Sequence, residues 1–309
     1  MAGSRFAYVR NFELPDPLLP GTYMVFRLDG HSFHRFSDEH KFTKPNDDRA
    51  LKLMDHAARA VMDAYPDIVL GFGESDEYSF LLRKSTQLYN RRHAKIVTTL
   101  TSYFTSSYVF HWRDYFPDLQ LRYPPSFDGR IVLYPSEREV KDYFAWRQVD
   151  THINNLYNTA FWALVQQGEM STKEAHATLS KTVSSEKHEI MHSRFGINYN
   201  EVNMRFRKGS VLVREEVTEP VIEDPVPSLP TDTPEVTEAM EAPANVGATS
   251  GTEVETPQNS NSNPSPPKEK KKSKAKAAKE KEKKTEVVLR HCDVIKDEFW
   301  EERRYLLEG

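Results

Sequence analysis

The stretch "LGFGESDEYSF", residues 70–80, sets Glu74, Asp76 and Glu77 around a glycine-bearing turn between two strand-like runs. Crowded carboxylates of this kind hold hard divalent cations, and cations held by carboxylates serve phosphoryl and nucleotidyl transfer. Taken alone, a solvated polar hairpin turn accounts for the acids equally well. Another acid, Asp29, ends the apolar run "TYMVFRLDG" and is followed at once by Gly30. Asp29 also reads as a cap of a turn or helix. Gly30 agrees with either reading and lets a metal approach the main chain closely. Beyond it, "HSFHRFSDEHKFTKPND" is rich in His, Lys and polar donors where a triphosphate would lie. Lys44 stands just before Pro45 and a helix start, and lysines with exposed loop amides are phosphate-binding groups. A surface lysine beside a helix is also commonplace.

The elements that must position these residues follow from periodicity. "TYMVFRLD" reads as a buried strand and "PNDDRALKLMDHAARAVMDAY" as a helix opened by Pro45 and Asn46. The acidic hairpin follows, then a long helix over "YNRRHAKIVTTLTSYFTSSYVFHWRDYF" and a strand at "GRIVLYP". The order β, α, β, β, α, β is the split β-α-β arrangement of an α+β fold, with an antiparallel sheet and both helices on one face. In it the first strand lies mid-sheet, expected beside the first strand of the hairpin. Asp29 and Asp76 then face each other at one sheet edge. Two anionic side chains brought together are unfavourable alone and favourable around Mg2+, and a pair of such ions clamps both oxygens of an in-line displacement.

Residues 136–200 read as mostly helical, with one helix over "EREVKDYFAWRQVD" and a second over "THINNLYNTAFWALVQQG" capped by Asp150 or Thr151. Asn and His side chains at such a helix start can read base edges or hold a phosphate, and caps alone do not need three asparagines and a histidine; the alternative is local capping plus ordinary helix polarity. The basic residues Arg91, Arg92, His93, Lys95, Arg130, Lys187, Arg194, Arg205, Arg207 and Lys208 form the kind of set an RNA backbone needs. Each one singly reads as part of a solvated helix face. No Walker phosphate loop, His/Cys zinc spacing or nucleophilic serine elbow is present.

With 309 residues, 38% hydrophobic and 28% charged, the chain can fill one substantial core or two modest ones. No apolar run approaches the roughly 20 residues of a membrane span, and the start "MAGSRFAYVRNFELPD" lacks a secretory core. No membrane association is expected. An intracellular location is, in the cytoplasm, the nucleus or both, with a mitochondrial pool left open. The lone cysteine, Cys292, excludes an internal disulfide and a cysteine zinc cluster. A net charge of -4 hides an uneven distribution. Residues 215–285 turn to Pro, Ser, Thr, Asn and Glu and finish with ten lysines between 268 and 284, the composition of a disordered linker. The lysine run could touch nucleic acid or serve as a nuclear address, although such runs usually just keep a linker soluble. Val287, Leu289, Phe299 and Trp300 follow it and would stay exposed unless residues 286–309 packed back on the body. The expected organisation is therefore a catalytic domain at 1–135, a helical subdomain at 136–214, a linker at 215–285 and a returning segment at 286–309.

Together, "RLDGHSFHRFS", "KFTKPND", "GFGESDEYSFLL", "HINNLYNTAFW", "GINYN" and "HCDVIKDEFW" resemble, in order, the tRNA-His guanylyltransferase family of eukaryotic type. The resemblance covers about residues 1–214 and 286–309. It implies a palm enzyme, related in architecture to polymerases and nucleotide cyclases, that adds one guanosine to the 5' end of tRNA-His in three steps: adenylylation by ATP, attack by the GTP 3'-hydroxyl, and pyrophosphate removal. It further implies two Mg2+ ions held by Asp29, the Gly30 carbonyl and Asp76, with Glu77 as their acidic neighbour. Gly30, His31, Ser32, Phe33, His34, Lys44, Asp47 and Ser75 are then expected at the nucleotide, and Arg27, Arg92, Lys95, His152, Asn158 and Lys187 at the tRNA. A homotetramer is also implied. Residues 215–285 exceed what compact members carry. A purine nucleotide cyclase would use the same sheet edge but has no need of "HINNLYN", and a non-enzymatic RNA-binding adaptor would have no need of the acids and Lys44.

Overall fold

Tyr23–Gly30 forms strand β1 with buried side chains on both faces, Met24, Phe26 and Leu28 toward one and Tyr23 and Val25 toward the other. Such a strand needs a layer on each side of its sheet. The computed structural model describes residues 4–216 and 285–308. After β1 come α1 (Phe33–Glu39), α2 (Asp48–Ala64), β2 (Ile68–Glu74), β3 (Glu77–Leu82), α3 (His93–Phe110), α4 (Trp112–Tyr115) and β4 (Phe127–Tyr134). Then follow α5 (Glu137–Gln166), α6 (Thr172–Leu179), α7 (Ser184–Phe195), α8 (Met204–Lys208), β5 (Ser210–Glu216), β6 (Thr285–Arg290) and α9 (Asp297–Glu301).

The strands make one antiparallel sheet of six in the order β4-β1-β3-β2-β5-β6. β1 lies beside β3, the second strand of the hairpin, and not beside the first as the sequence suggested. The expected meeting of the β1 end with the hairpin turn survives this change, because an antiparallel neighbour puts the start of β3 opposite the end of β1. One face is covered by α2 and α3, whose buried Leu53, Ala57, Val61, Ile96, Leu100 and Phe104 meet Phe26, Leu28 and Phe80. The other is covered by α5 and by the segment after β6, where Val140 and Phe144 meet Phe299, Trp300 and Leu306.

Several expectations change. Residues 137–166 form one continuous helix capped by Ser136, whose hydroxyl accepts from the Arg138 amide. Asp150 and Thr151 cap nothing, and "HINNLYN" lies in mid-helix. α2 begins at Asp48 with Asp47 as its cap, one turn later in emphasis than Pro45 and Asn46 suggested. "HSFHRFSDE", given no element by the sequence reading, contains α1. The stretch 136–214 is not purely helical, since β5 extends the sheet, and Glu215, Glu216 and Thr285 belong to paired strands, not to a linker. Residues 217–284, which carry the lysine run, lie outside the described residues. No helix among the described residues is long and apolar enough to cross a membrane.

Candidate active site

The hairpin between β2 and β3 closes through Ser75 and Asp76, with Ser75 at φ 50°. A positive φ at the first turn position matches the right-handed twist of the flanking strands. The Gly30 amide donates to the Asp76 carbonyl at 3.1 Å, which ties the end of β1 to this turn. Asp29 lies opposite Glu77 in the strand register. Side chains alternate along a strand, so Arg27, Asp29 and the cross-strand Glu77 point to one face, toward α5.

A row of alternating charges results. Arg27 reaches Asp29 at 2.8 Å and Glu77 at 2.6 Å, and Arg147 of α5 reaches Glu77 at 3.1 Å and Glu74 at 3.4 Å. Arg147 also pairs with Asp150, and the Thr151 hydroxyl donates to Glu74 at 2.6 Å. Burial lifts the Glu74 carboxyl to about 7, with the Thr151 hydroxyl and Arg147 opposing and the charges of Glu77 and Asp150 adding. Glu77 is raised by burial against the pull of Arg147 and Arg27. Asp76 is raised by burial, eased by hydrogen bonds from its own backbone and Ser75, and raised again by the charge on Asp29. The two aspartates are thus close enough to repel. That repulsion is what a divalent cation relieves, and Mg2+ takes one or two carboxylates with the rest of its shell from water and phosphate oxygens. Among the described residues no group of three His, Cys, Asp or Glu side chains is spaced to hold a metal. An ion held by these two carboxylates would draw its remaining ligands from water or substrate.

A cavity of about 850 Å³ opens from this end of the sheet. Arg27, Asp29, Ser75, Asp76 and Glu77 line it from the sheet, Phe33, His34, Lys44 and Asp47 from the segment after β1, and Asn158 from α5. Gly30, His31, Ser32, Arg92, Lys95, His152 and Lys187 do not. A Cβ at Gly30 would stand 2.4 Å from the Phe33 ring, so glycine makes room there for an aromatic side chain. Phe33 itself is buried against Phe36, Tyr108 and Phe127, more core than ligand group. His31 and Ser32 are exposed on the β1–α1 turn. Asp47 spends its oxygens on the amides of Thr43 and Arg49 and on the Arg49 guanidinium, which makes it the cap of α2. The Lys44 ammonium meets the Ser37 hydroxyl at 2.8 Å and Asp38 at 3.1 Å.

The residues expected at RNA fare unevenly. Arg92 pairs with Asp16 at 3.0 Å at the start of α3, and Lys95 is exposed one turn on. His152 is exposed on α5, and partial desolvation, with the charges of Lys208, His188 and Arg207 adding, holds its imidazole below its usual pKa. Lys187 is buried, donates to the Thr182 carbonyl at 2.7 Å and faces Tyr157, so it is not presented to a phosphate backbone. Arg91 is likewise buried, bonded to the carbonyls of Leu19 and Thr22. Arg205 pairs with Asp48 and Asp55, and Lys208 with Asp293.

Sequence reasoning gave Arg147 and Asn155 no role at the site, read Thr151 only as a cap, and left Glu74 among the crowded acids without a partner. Asn155 donates to Asn46 at 3.0 Å and accepts from the Tyr199 hydroxyl at 3.1 Å, joining the Lys44 segment to α5. The signal that finds them is their spacing of four, which lies along one face of a helix only if 137–166 is unbroken.

The family model described as tRNAHis guanylyltransferase matches residues 6–135, and that of the Thg1 C terminal domain matches residues 138–296. The chain is 45% identical to the probable tRNA(His) guanylyltransferase of Mus musculus, over 99% of this chain and 89% of that one. It is 46% identical to the tRNA(His) guanylyltransferase of Neurospora crassa, over 100% and 97%. The crystal structure of tRNA(His) guanylyltransferase from Saccharomyces cerevisiae, 50% identical, superposes with a TM-score of 0.66 over 68% of this chain and 93% of that one. A bacterial guanylyltransferase-like protein solved in complex with ATP, 22% identical, shares the fold at a TM-score of 0.56 over 67% and 85%. By sequence and by fold, the chain belongs to the tRNA-His guanylyltransferase family of nucleotidyltransferases.

Proposed function

We propose that the cavity at the end of β1 is the active site of a palm-type enzyme that adds guanosine to the 5' end of tRNA-His. The observation that carries this is the tie between Gly30 and the hairpin turn, which sets Asp29 and Asp76 together at the mouth of a cavity with Lys44 on its wall. In the proposed sequence, the tRNA 5'-monophosphate attacks the α-phosphorus of ATP and expels pyrophosphate. The 3'-hydroxyl of GTP then attacks the adenylylated 5' phosphorus and expels AMP. Removal of pyrophosphate from the new 5' end completes the addition.

Asp29, Asp76 and the Gly30 carbonyl are the groups that would hold Mg2+, two ions per site. Bound there, such ions polarise phosphoryl oxygens and steady the attacking and leaving oxygens. Lys44 supplies positive charge to a triphosphate tail, released for that task from Ser37 and Asp38. Arg27 and Arg147 keep Glu77 and Glu74 from adding net negative charge where phosphates must approach. The homotetramer that the family resemblance implies belongs to the same proposal.

The test is nucleotide addition to 5'-monophosphorylated tRNA-His with ATP, GTP and Mg2+, beside a tRNA of different anticodon and a reaction with GTP alone. Asp29→Ala and Asp76→Ala should each abolish addition while tRNA binding falls little, since basic side chains elsewhere hold the RNA backbone. Near-normal addition by either variant would remove the metal assignment. Cyclic GMP formed without tRNA would replace the transferase by a cyclase.

A further inference from the structure

α5 runs along the cavity, with Arg147, Thr151, Asn155 and Asn158 on its lining face and Phe161 and Trp162 beyond them. At about 1.5 Å per residue, Arg147 and Phe161 stand roughly 21 Å apart along the helix. The chemistry of the wall changes over that length. Acids and guanidinium groups occupy one end, and aromatic side chains of α5 with His176 of α6 occupy the other.

The aromatic end is more than the edge of a core. Phe161 is buried with Leu156 and Leu164 and needs no other explanation. Tyr157 and Trp162 are only half-buried, and His176 is exposed, yet all three line the cavity. The Tyr157 hydroxyl and His176 Nδ1 are 2.6 Å apart, and the His176 ring lies 4.5 Å from Phe161. With Nδ1 engaged, Nε2 of His176 has no hydrogen-bond partner among the described residues. Trp162 meets Phe161 edge-on at 5.3 Å, and the Lys44 ammonium stands 5.8 Å from its centroid. A partly exposed aromatic ring beside a polar ring nitrogen and a cation is the means by which proteins hold a nucleobase: stacking on the ring, a hydrogen bond to the edge, and charge for the attached phosphate.

We propose that this end of the cavity is a nucleobase subsite in which Trp162 supplies the stacking face and His176 Nε2 a hydrogen bond to the base edge. The inference rests on the proposed function for the statement that nucleotides enter the cavity. The base has two possible sources with the same chemistry, a nucleoside triphosphate or the terminal nucleotide of the substrate RNA. Tyr157 acts as a positioning residue, fixing the His176 tautomer and ring.

Equilibrium binding to the full chain tests this without turnover. GTP, ATP, 5'-monophosphorylated tRNA-His and inorganic triphosphate are titrated against wild type, Trp162→Leu, Trp162→Phe and His176→Ala. Trp162→Leu should weaken at least one base-bearing ligand by roughly 5- to 100-fold and leave inorganic triphosphate within about twofold, while Trp162→Phe restores most of the loss. Which ligand weakens identifies the source. His176→Ala changes an exposed side chain and should weaken the same ligand. Unchanged binding of all three base-bearing ligands overturns the subsite, and so does equal weakening of inorganic triphosphate, which would assign Trp162 to the support of Lys44. Because no step of the reaction is measured, a subsite can stand where nucleotide addition fails, and the reverse.

Discussion

Glu74 shows how much a single carboxyl can cost when the fold surrounds it. Its ordinary pKa of 4.5 rises to about 7 because burial outweighs Thr151 and Arg147. The folded state therefore holds this proton more tightly than the unfolded chain. The stability it contributes is full below about pH 4.5 and is lost as pH rises through about 7. Glu74→Gln should flatten that decline by up to about 3 kcal/mol, measured as denaturant midpoints at pH 4.5 and 8 without divalent cation. An equal slope in both proteins would mean that Glu74 stays ionised throughout. The acids themselves were legible, since three carboxylates in "GESDE" crowd a turn that needs none. Arg147 was not. It is one of many charged residues on a helix, and what singles it out is burial against Glu74 and Glu77, a tertiary fact.

Elements carry information of another kind. The β-α-β-β-α-β order could be read from periodicity, and with it the edge where Asp29 meets the hairpin. The neighbour of β1 could not, because β2 and β3 are both apolar and their pairing partners are chosen by packing. The unbroken α5 was also hidden. Asp150, Thr151, Asn154 and Asn155 have the composition of a helix start, yet three of them bond inward or to a neighbour: Asp150 to Arg147, Thr151 to Glu74 and Asn155 to Asn46. Gln148, on the same helix, fastens two separate segments to it. Its amide donates to the Lys208 carbonyl at 2.8 Å and the Cys292 carbonyl at 2.9 Å, and its oxygen accepts from the Val294 amide at 2.8 Å. Gln148→Leu would leave these buried groups unpaired and should lower stability by about 2–3 kcal/mol, read from thermal or denaturant melting. A loss within error of zero would show that water replaces the amide.

At the scale of the molecule, the returning segment was foreseeable from its exposed-hydrophobe problem, and its role as sheet strand was not. Glu216 and Thr285, the described residues on either side of 217–284, are cross-strand partners in one antiparallel pair. Replacing 217–284 by Asn-Gly, a dipeptide suited to a two-residue hairpin, should leave the melting temperature and nucleotide addition close to wild type. Loss of folding in that variant would assign the excised residues a packing role. Truncation after Glu216 should instead be severe, because Phe144 and Val140 lose Phe299, Trp300 and Leu306 and β5 loses its outer neighbour. Soluble, cooperatively melting truncated protein would contradict this. The same arrangement sets an order of events during synthesis. A ribosome delivers β1 to β5 with α2, α3 and α5 well before Trp300, and at about 5–20 residues per second the nascent chain waits on the order of ten seconds with its second apolar face covered by α5 alone. During that interval the newborn protein presents a sticky surface that a chaperone is suited to shield.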